Sequence, residues 1–287
     1  MLNLKKNMEL FKTKGEIREY LKAKKKDGVA IGFVPTMGAL HEGHLSLFRE
    51  AKDENDIVVG SIFVNPTQFN NSSDLENYPR TLEKDLKMLE EEGCDVVFNP
   101  TVEEMYPEPD NTEFDFGGLD KVMEGKFRPG HFNGVASVVK KLFEIVEPDR
   151  AYFGLKDYQQ LLIIHKMIKS FNLPVELVPC PIVREKNGLA MSSRNELLSK
   201  SERKQASLIY KTLKFVKVQA GFQPIHELKN YVEREFKRKN IKLEYFEIVD
   251  MYTLEPLKTW LGSKNVIACI AAYVGNVRLI DNIILFS

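Results

Sequence analysis

Cysteine is scarce. The 287 residues hold three, Cys94, Cys180 and Cys269, too few and too scattered for a disulfide framework or a Cys-x-x-Cys zinc site. Reduced thiols in a cytoplasmic protein are the expectation. Excess charge of either sign is missing too. Lys plus Arg number 41 and Asp plus Glu number 41, which argues against a protein that holds a long nucleic acid by neutralising phosphates, while leaving room for a local basic site. No apolar run approaches the roughly 20 residues that cross a bilayer, and the opening MLNLKKNMELFKTK carries charge without the apolar centre of a secretory signal. A soluble chain with no membrane or nucleic-acid partner is expected. Neither G-x-x-x-x-G-K-[ST] nor G-x-G-x-x-G occurs, which sets aside the P-loop and the dinucleotide fingerprint.

The composition, 43% hydrophobic, is enough for a full buried core. Apolar runs at 29–34 (VAIGFV), 57–64 (IVVGSIFV), 96–98, 151–153 and 175–178 read as buried strands. A helical pattern at 13–26 precedes them, and others at 44–53, 81–92, 134–146 and 156–171 alternate with them. This order predicts an α/β fold, a Rossmann-like parallel sheet with helices on both faces. In such folds the loops at the carboxyl ends of the strands form the ligand crevice. From about Arg184 the texture turns polar, then gives helical patterns at 201–218 and 225–238. Strands follow at 243–249, 266–273 and 278–286, with Gly275-Asn276 as a turn. They predict a smaller, largely antiparallel α+β domain. The boundary is placed at 183, giving domains 1–183 and 184–287.

The strongest local feature is Pro35-Thr36-Met37-Gly38-Ala39-Leu40-His41-Glu42-Gly43-His44, at the end of the first predicted strand and running into a helix. Its glycines let backbone pass close to a ligand, and a helix start offers N–H groups and a positive dipole end to an anion. Two imidazoles three residues apart add donors of the kind that stabilise charge on departing phosphate oxygens. Two surface histidines at a helix entry is the plain alternative. A metal site with His131 as third ligand is another, although no nearby cysteine or carboxylate follows the usual zinc spacings.

His41-x-Gly43-His44 resembles the HIGH-type signature of the nucleotidyltransferase superfamily, and Met191-Ser192-Ser193-Arg194-Asn195 resembles its second, KMSKS-type loop. The resemblance narrows further. SIFVNPTQF at 61–69, YPRT at 78–81, RPGHF at 128–132, YFGLKDYQQ at 152–160 and MSSRN at 191–195 together, in this order, are similar to the pantoate–β-alanine ligase family along essentially the whole chain.

That resemblance implies an AMP-forming acid–amine ligase that uses ATP with Mg2+, makes a pantoyl adenylate and passes it to β-alanine. It implies that Met37, Gly38, Ala39, Leu40, His41, Glu42, Gly43 and His44 hold ATP, with His44 catalytic and His41 on the phosphates. Gly154, Leu155, Lys156 and Asp157 would complete the ATP site, Lys156 on the phosphates as a catalytic group and Asp157 on the ribose side. Val183 would touch adenine, and Met191, Ser192, Ser193 and Arg194 would close over the triphosphate. Gln68 and Gln160 would bind pantoate and Gln68 also β-alanine, while Arg128 and His131 would lie at the rim. It further implies a first domain binding ATP and pantoate, a second acting as lid, no resident metal site and a homodimer.

The residue chemistry is compatible with these roles. An amide such as Gln68 offers donor and acceptor to a substrate bearing hydroxyls and a carboxylate. A lysine just past a strand-to-helix junction meets phosphate as a point charge. Ser192, Ser193 and Arg194 suit a phosphate-wrapping loop, and equally an N-cap before Glu196. Against the family it resembles, the chain has Leu155 where many relatives carry Glu, which removes a charge but leaves Lys156 in place, and Asn133 where Arg is common, so rim electrostatics are expected to differ there. The segment through Asp27 has no motif and reads only as a covering helix. His165, on LLIIHKMI, reads as a packing or surface residue, and the Glu90 to Glu92 run as a solvated helix end. A nucleotidyltransferase acting on a phosphorylated acceptor, and a non-catalytic nucleotide sensor, stay open as alternatives.

Overall fold

The computed structural model describes residues 8–70, 72–108, 110 and 112–287. The chain divides into two compact units. The first takes the described residues up to Asp120, with Glu124–Leu155 and Gln160–Pro181; the second takes Lys121–Met123, Lys156–Gln159 and Ile182–Ser287.

The first unit is built on β1 (Glu9–Phe11), β2 (Ile31–Thr36), β3 (Ile57–Ile62), β4 (Val96–Phe98), β5 (Arg150–Gly154) and β6 (Glu176–Cys180). Their order across the sheet is β1-β4-β3-β2-β5-β6, and every pairing is parallel. Alternate residues face opposite ways, as the pleat requires. Ile31, Phe33, Ile57, Val59, Val96, Phe98, Ala151 and Phe153 enter one core; Val34, Val58, Val97 and Tyr152 enter another. The helices are α1 (Lys14–Lys26), α2 (Glu42–Glu54), α3 (Ser72–Glu76), α4 (Leu82–Glu91), α5 (Val102–Met105), α6 (Met123–Phe127), α7 (His131–Val146) and α8 (Tyr158–Ser170). Buried side chains of α1, α7 and α8 share the first core, and those of α2 and α4 the second, so both faces are covered.

Strand order reverses between β2 and β5, the place where such sheets open a crevice at their carboxyl ends. The register marks it. β2 pairs β3 over its whole length but meets β5 only at Gly32↔Arg150 and Phe33↔Ala151. Beyond Phe33 the β5 ladder has ended, which lets β2 carry Pro35, a residue with no N–H to donate.

β1 departs from the expected covering helix alone. Glu9, Leu10 and Phe11 pair in parallel with Val96, Val97 and Phe98, and three edge residues, two of them exposed, carry too short a pattern to read as a strand. The short helices α3, α5 and α6 were likewise unforeseen. Glu92 is not a solvated end residue, since Arg49 Nε donates to it at 3.0 Å.

The second unit contains α9 (Lys200–Gln219), α10 (Ile225–Arg238), β7 (Lys242–Asp250), β8 (Val266–Val274) and β9 (Val277–Phe286). The three strands form an antiparallel sheet in the order β7-β8-β9. Ser199 and Glu202 close α9 with a capping box. Ile209, Leu213 and Val216 of α9 and Leu228, Val232 and Phe236 of α10 form one core with Val266, Ala268 and Ile270 of β8. Gly275, at φ +57°, makes the β8–β9 turn.

Candidate active site

The loop after β2 is set by local chemistry. Thr36 Oγ1 donates to Ser61 O at 2.7 Å and accepts from Gly38 N at 3.2 Å. Gly38 and Ala39 both take positive φ, +80° and +50°, the second costly for a residue with a Cβ. One carboxylate holds that conformation: Asp85, on α4 and 1% exposed, accepts from Ala39 N at 2.9 Å and Leu40 N at 2.8 Å.

Helix α2 begins at Glu42, two residues earlier than the sequence pattern suggests, because His41 is its N-cap. His41 Nδ1 accepts from Gly43 N at 3.1 Å. An acceptor Nδ1 leaves the neutral ring's proton on Nε2, so His41 presents a donor away from the helix. Its ring stacks on His44, centroids 4.0 Å apart and planes at 27°. Glu42, beside them, is engaged by Arg49, and Glu92 and Glu42 together push that guanidinium's pKa up.

Gln68 ends the 3₁₀ turn Pro66–Gln68 and is held at both ends. Asn65 Oδ1 accepts from Thr67 N at 3.4 Å and from Tyr106 OH at 2.9 Å. Asn65 Nδ2 donates to Gly134 O and to Gln68 Oε1, both at 3.1 Å. A backbone N–H only donates and a carbonyl only accepts, so these contacts fix the Asn65 amide and, through it, the Gln68 amide. Gln68 therefore presents Nε2 as a donor, which lies 3.1 Å from Met37 Sδ and brings the β2 loop and the β3 turn together. A Cβ on Gly134 would stand 2.4 Å from Thr67 O, so only glycine lets α7 approach this turn.

Arg128 and His131 serve the same turn. His131, 6% exposed, donates from Nδ1 to Gln68 O at 2.8 Å, and its Nε2 takes Arg128 Nη1 at 3.0 Å. With both ring nitrogens engaged, His131 is not a third metal ligand beside His41 and His44. Asn133 faces the segment before β5: it accepts from Phe114 N at 3.2 Å and donates to Thr112 O at 2.9 Å, a double contact an arginine could not make. Gln160 is half-buried on the first turn of α8, whereas its neighbour Gln159 donates to Val122 O at 2.9 Å. His165 is exposed.

The second unit carries the other candidates. Lys156 and Asp157 lie on the 3₁₀ turn Leu155–Asp157 that follows β5 and Gly154. Lys156 Nζ is 3.8 Å from Asp157 Oδ2, and Lys156 O accepts from Asn282 Nδ2 at 3.0 Å. Val183 O accepts from Met191 N at 3.0 Å, closing a hairpin base. Ser192 is the N-cap of the 3₁₀ helix Ser193–Leu197 and accepts from Arg194 N at 3.3 Å. Met191, Ser192, Ser193 and Arg194 are half-buried. Asn195 is 2% exposed and donates to Glu185 Oε1 at 2.9 Å and Ala190 O at 3.1 Å. Asp85, Asn65, Tyr106 and Asn282 were not singled out in the sequence. Asp85, Tyr106 and Asn282 act through partners distant in the chain, pairs that no spacing rule records, whereas Asn65 reaches Gln68 only three residues on, within the SIFVNPTQF segment.

Comparison with known proteins covers nearly the whole chain. The family model described as pantoate-beta-alanine ligase matches residues 9–284. A pantothenate synthetase of Christiangramia forsetii is 52% identical over 281 residues, 97% of this chain and 99% of that protein. One of Bacteroides thetaiotaomicron is 50% identical over 277 residues, 96% and 98% of the two chains. Among solved structures, pantothenate synthetase from Thermus thermophilus superposes with a TM-score of 0.91 at 43% identity, covering 98% of this chain and all of that one. The pantoate-beta-alanine ligase of Francisella tularensis, complexed with beta-gamma ATP and beta-alanine, superposes with a TM-score of 0.82 at 37% identity, covering 97% and 98%.

Proposed function

The chain belongs to the pantoate–β-alanine ligase family, and from that premise we infer how its residues carry out the reaction. The enzyme condenses pantoate with β-alanine at the expense of ATP, giving pantothenate, AMP and pyrophosphate through a pantoyl adenylate. A carboxylate is a poor acyl donor because its leaving group would be oxide. In the first step the pantoate carboxylate oxygen bonds to the α-phosphorus and the bond to pyrophosphate breaks. In the second, the β-alanine amine attacks the acyl carbon, AMP departs and the amine loses a proton.

The protein supplies alignment, charge stabilisation and exclusion of water. His41 donates from Nε2 to phosphate, the tautomer its capping role selects, and His44 stands stacked beside it as the second imidazole. The backbone from Met37 to Gly43 cradles ATP with the N-terminus of α2. Lys156 meets the departing phosphates as a point charge, Asp157 takes the ribose side, Val183 lines adenine, and Met191, Ser192, Ser193 and Arg194 close over the triphosphate. Gln68 donates Nε2 to pantoate and afterwards faces β-alanine; Gln160 is the second amide on pantoate. Magnesium enters with its substrate as Mg-ATP. Asp85, the carboxylate bound to the loop, is committed to the backbone N–H groups of Ala39 and Leu40, and magnesium, when bound with ATP, would supply charge neutralisation of the phosphates. The cytoplasmic location, the homodimer and a lid role for the second unit belong to this proposal, and sedimentation equilibrium tests the dimer.

The observation that carries the reading is the position of Pro35 to His44 at the strand-order reversal, on a chain that the family matches over residues 9–284. Enzyme, Mg-ATP and pantoate without β-alanine should exchange labelled pyrophosphate into ATP, because adenylation is reversible and needs no amine. Lys156→Ala and His44→Ala should each slow this exchange by at least about a hundredfold, the scale of one lost donor to developing charge. No exchange under conditions where pantothenate forms would count against a released-pyrophosphate, stepwise mechanism.

A further inference from the structure

Asp281 and Asn282 stand side by side on β9, 3% and 5% exposed, in a strand with no motif. A buried carboxylate and a buried amide need partners. Theirs lie within the second unit: Asn282 reaches Lys156, assigned above to the phosphates of ATP, and Asp281 reaches Arg184, on the hairpin that leads into the other assigned segment, 191–194.

Arg184 donates to Asp281 Oδ2 at 2.6 Å and Oδ1 at 3.0 Å, a two-pronged pair with one geometry. The same guanidinium reaches Asn282 O at 3.3 Å and Gly188 O at 3.2 Å and lies 3.8 Å from the centre of the Tyr210 ring. Arg184 bridges Ala190 across the hairpin, directly before Met191, Ser192, Ser193 and Arg194. Asn282 Nδ2, one residue along, donates to Lys156 O at 3.0 Å. A carbonyl only accepts, so the amide orientation is fixed. The Lys156 turn, three residues of 3₁₀ helix, thereby gains a tether to a strand 126 residues away.

We propose that Asp281 and Asn282 are a positioning pair for ATP: Asn282 holds the Lys156 turn, and Asp281 through Arg184 holds the base of the segment 191–194. Neither touches substrate. One strand thus fixes both phosphate-binding elements, and a phosphate cation misplaced by about 1 Å loses much of its effect. The proposal rests on the phosphate roles of Lys156 and 191–194.

Its test is a double-mutant cycle on the full chain, read as Mg-ATP affinity by calorimetry, with Asn282→Ala, Lys156→Ala and the double variant. Asn282→Ala should weaken Mg-ATP about tenfold, leave the KM for β-alanine within about twofold, and add less than about twofold in the Lys156→Ala background. Asn282→Ser, with a hydroxyl too short to reach Lys156 O, repeats the measurement should the alanine variant not fold, and melting temperatures are taken for each. Wild-type affinity in both Asn282 variants, or a tenfold loss repeated in full without the lysine, overturns the pairing while leaving the role of Lys156 intact. Wild-type affinity in Lys156→Ala overturns the phosphate role itself and the proposal with it.

Discussion

Ala39 at φ +50° is a strained residue in the loop proposed to meet ATP, and a single carboxylate holds it. Asp85 accepts the N–H groups of Ala39 and Leu40 while Thr81 Oγ1 lies 3.1 Å from its Oδ2. Removing it strands two backbone donors at about 1–3 kcal/mol each and frees a left-handed residue to relax. Asp85→Asn keeps one acceptor and turns an NH2 group on the other donor. Both Asp85→Asn and Asp85→Ala should therefore raise the KM for ATP, by about tenfold or more, and lower the melting temperature, the alanine variant further. The KM for pantoate should hardly move, because Gln68 is held from Asn65, Tyr106 and His131 instead. Steady-state kinetics with each substrate varied checks this, and a fall in stability with the ATP KM unchanged would deny the loop its dependence on Asp85.

Elements differ in how far they could be read before the structure. His41 and His44 were legible because a cap and its helix lie within four residues, and the strands because alternate apolar residues face two cores. The start of α2 was misplaced by two residues, since a histidine cap lacks the Ser, Thr, Asp or Asn signal of an ordinary N-terminus. Asp85 acts 46 residues from Ala39 and Asn282 acts 126 from Lys156, contacts that only the closed fold creates. The segment after Ala190 combines both situations: its Ser-Ser-Arg composition was legible, while the anchoring of its end was not. Asn195 is pinned to Glu185 and Ala190, whereas Met191 to Arg194 are half-buried behind the Ser192 cap. Nucleotide should therefore protect the amides of 191–194 from hydrogen exchange and leave Asn195 to Leu198 nearly unchanged. Equal exchange at 191–194 with and without Mg-ATP would argue against closure over the triphosphate.

At the scale of the whole molecule, each unit has its own core. The first unit buries its apolar residues on the two faces of the parallel sheet, and the second between α9, α10 and the antiparallel sheet. Units with separate cores commonly unfold as separate cooperative steps. The three thiols report on them individually. Cys94 and Cys180 lie in the first unit and Cys269 in the second, and all three are buried. Burial pushes the Cys94 thiol up to about 12. Burial does the same for Cys180, with Glu50 and Glu54 adding to it, again to about 12. Only the thiolate attacks a disulfide reagent, and at pH 8 a thiol of that pKa is ionised in roughly one molecule in 10⁴. Cys94 and Cys180 should therefore be almost unreactive toward an aromatic disulfide reagent in the native protein, and burial shields Cys269 from it as well. Along a urea series, thiol counts should rise in two stages, one releasing two thiols and the other one. Peptide mapping of the labelled chain should assign Cys269 to the single-thiol stage. Release of all three at one urea concentration would make the chain a single cooperative unit.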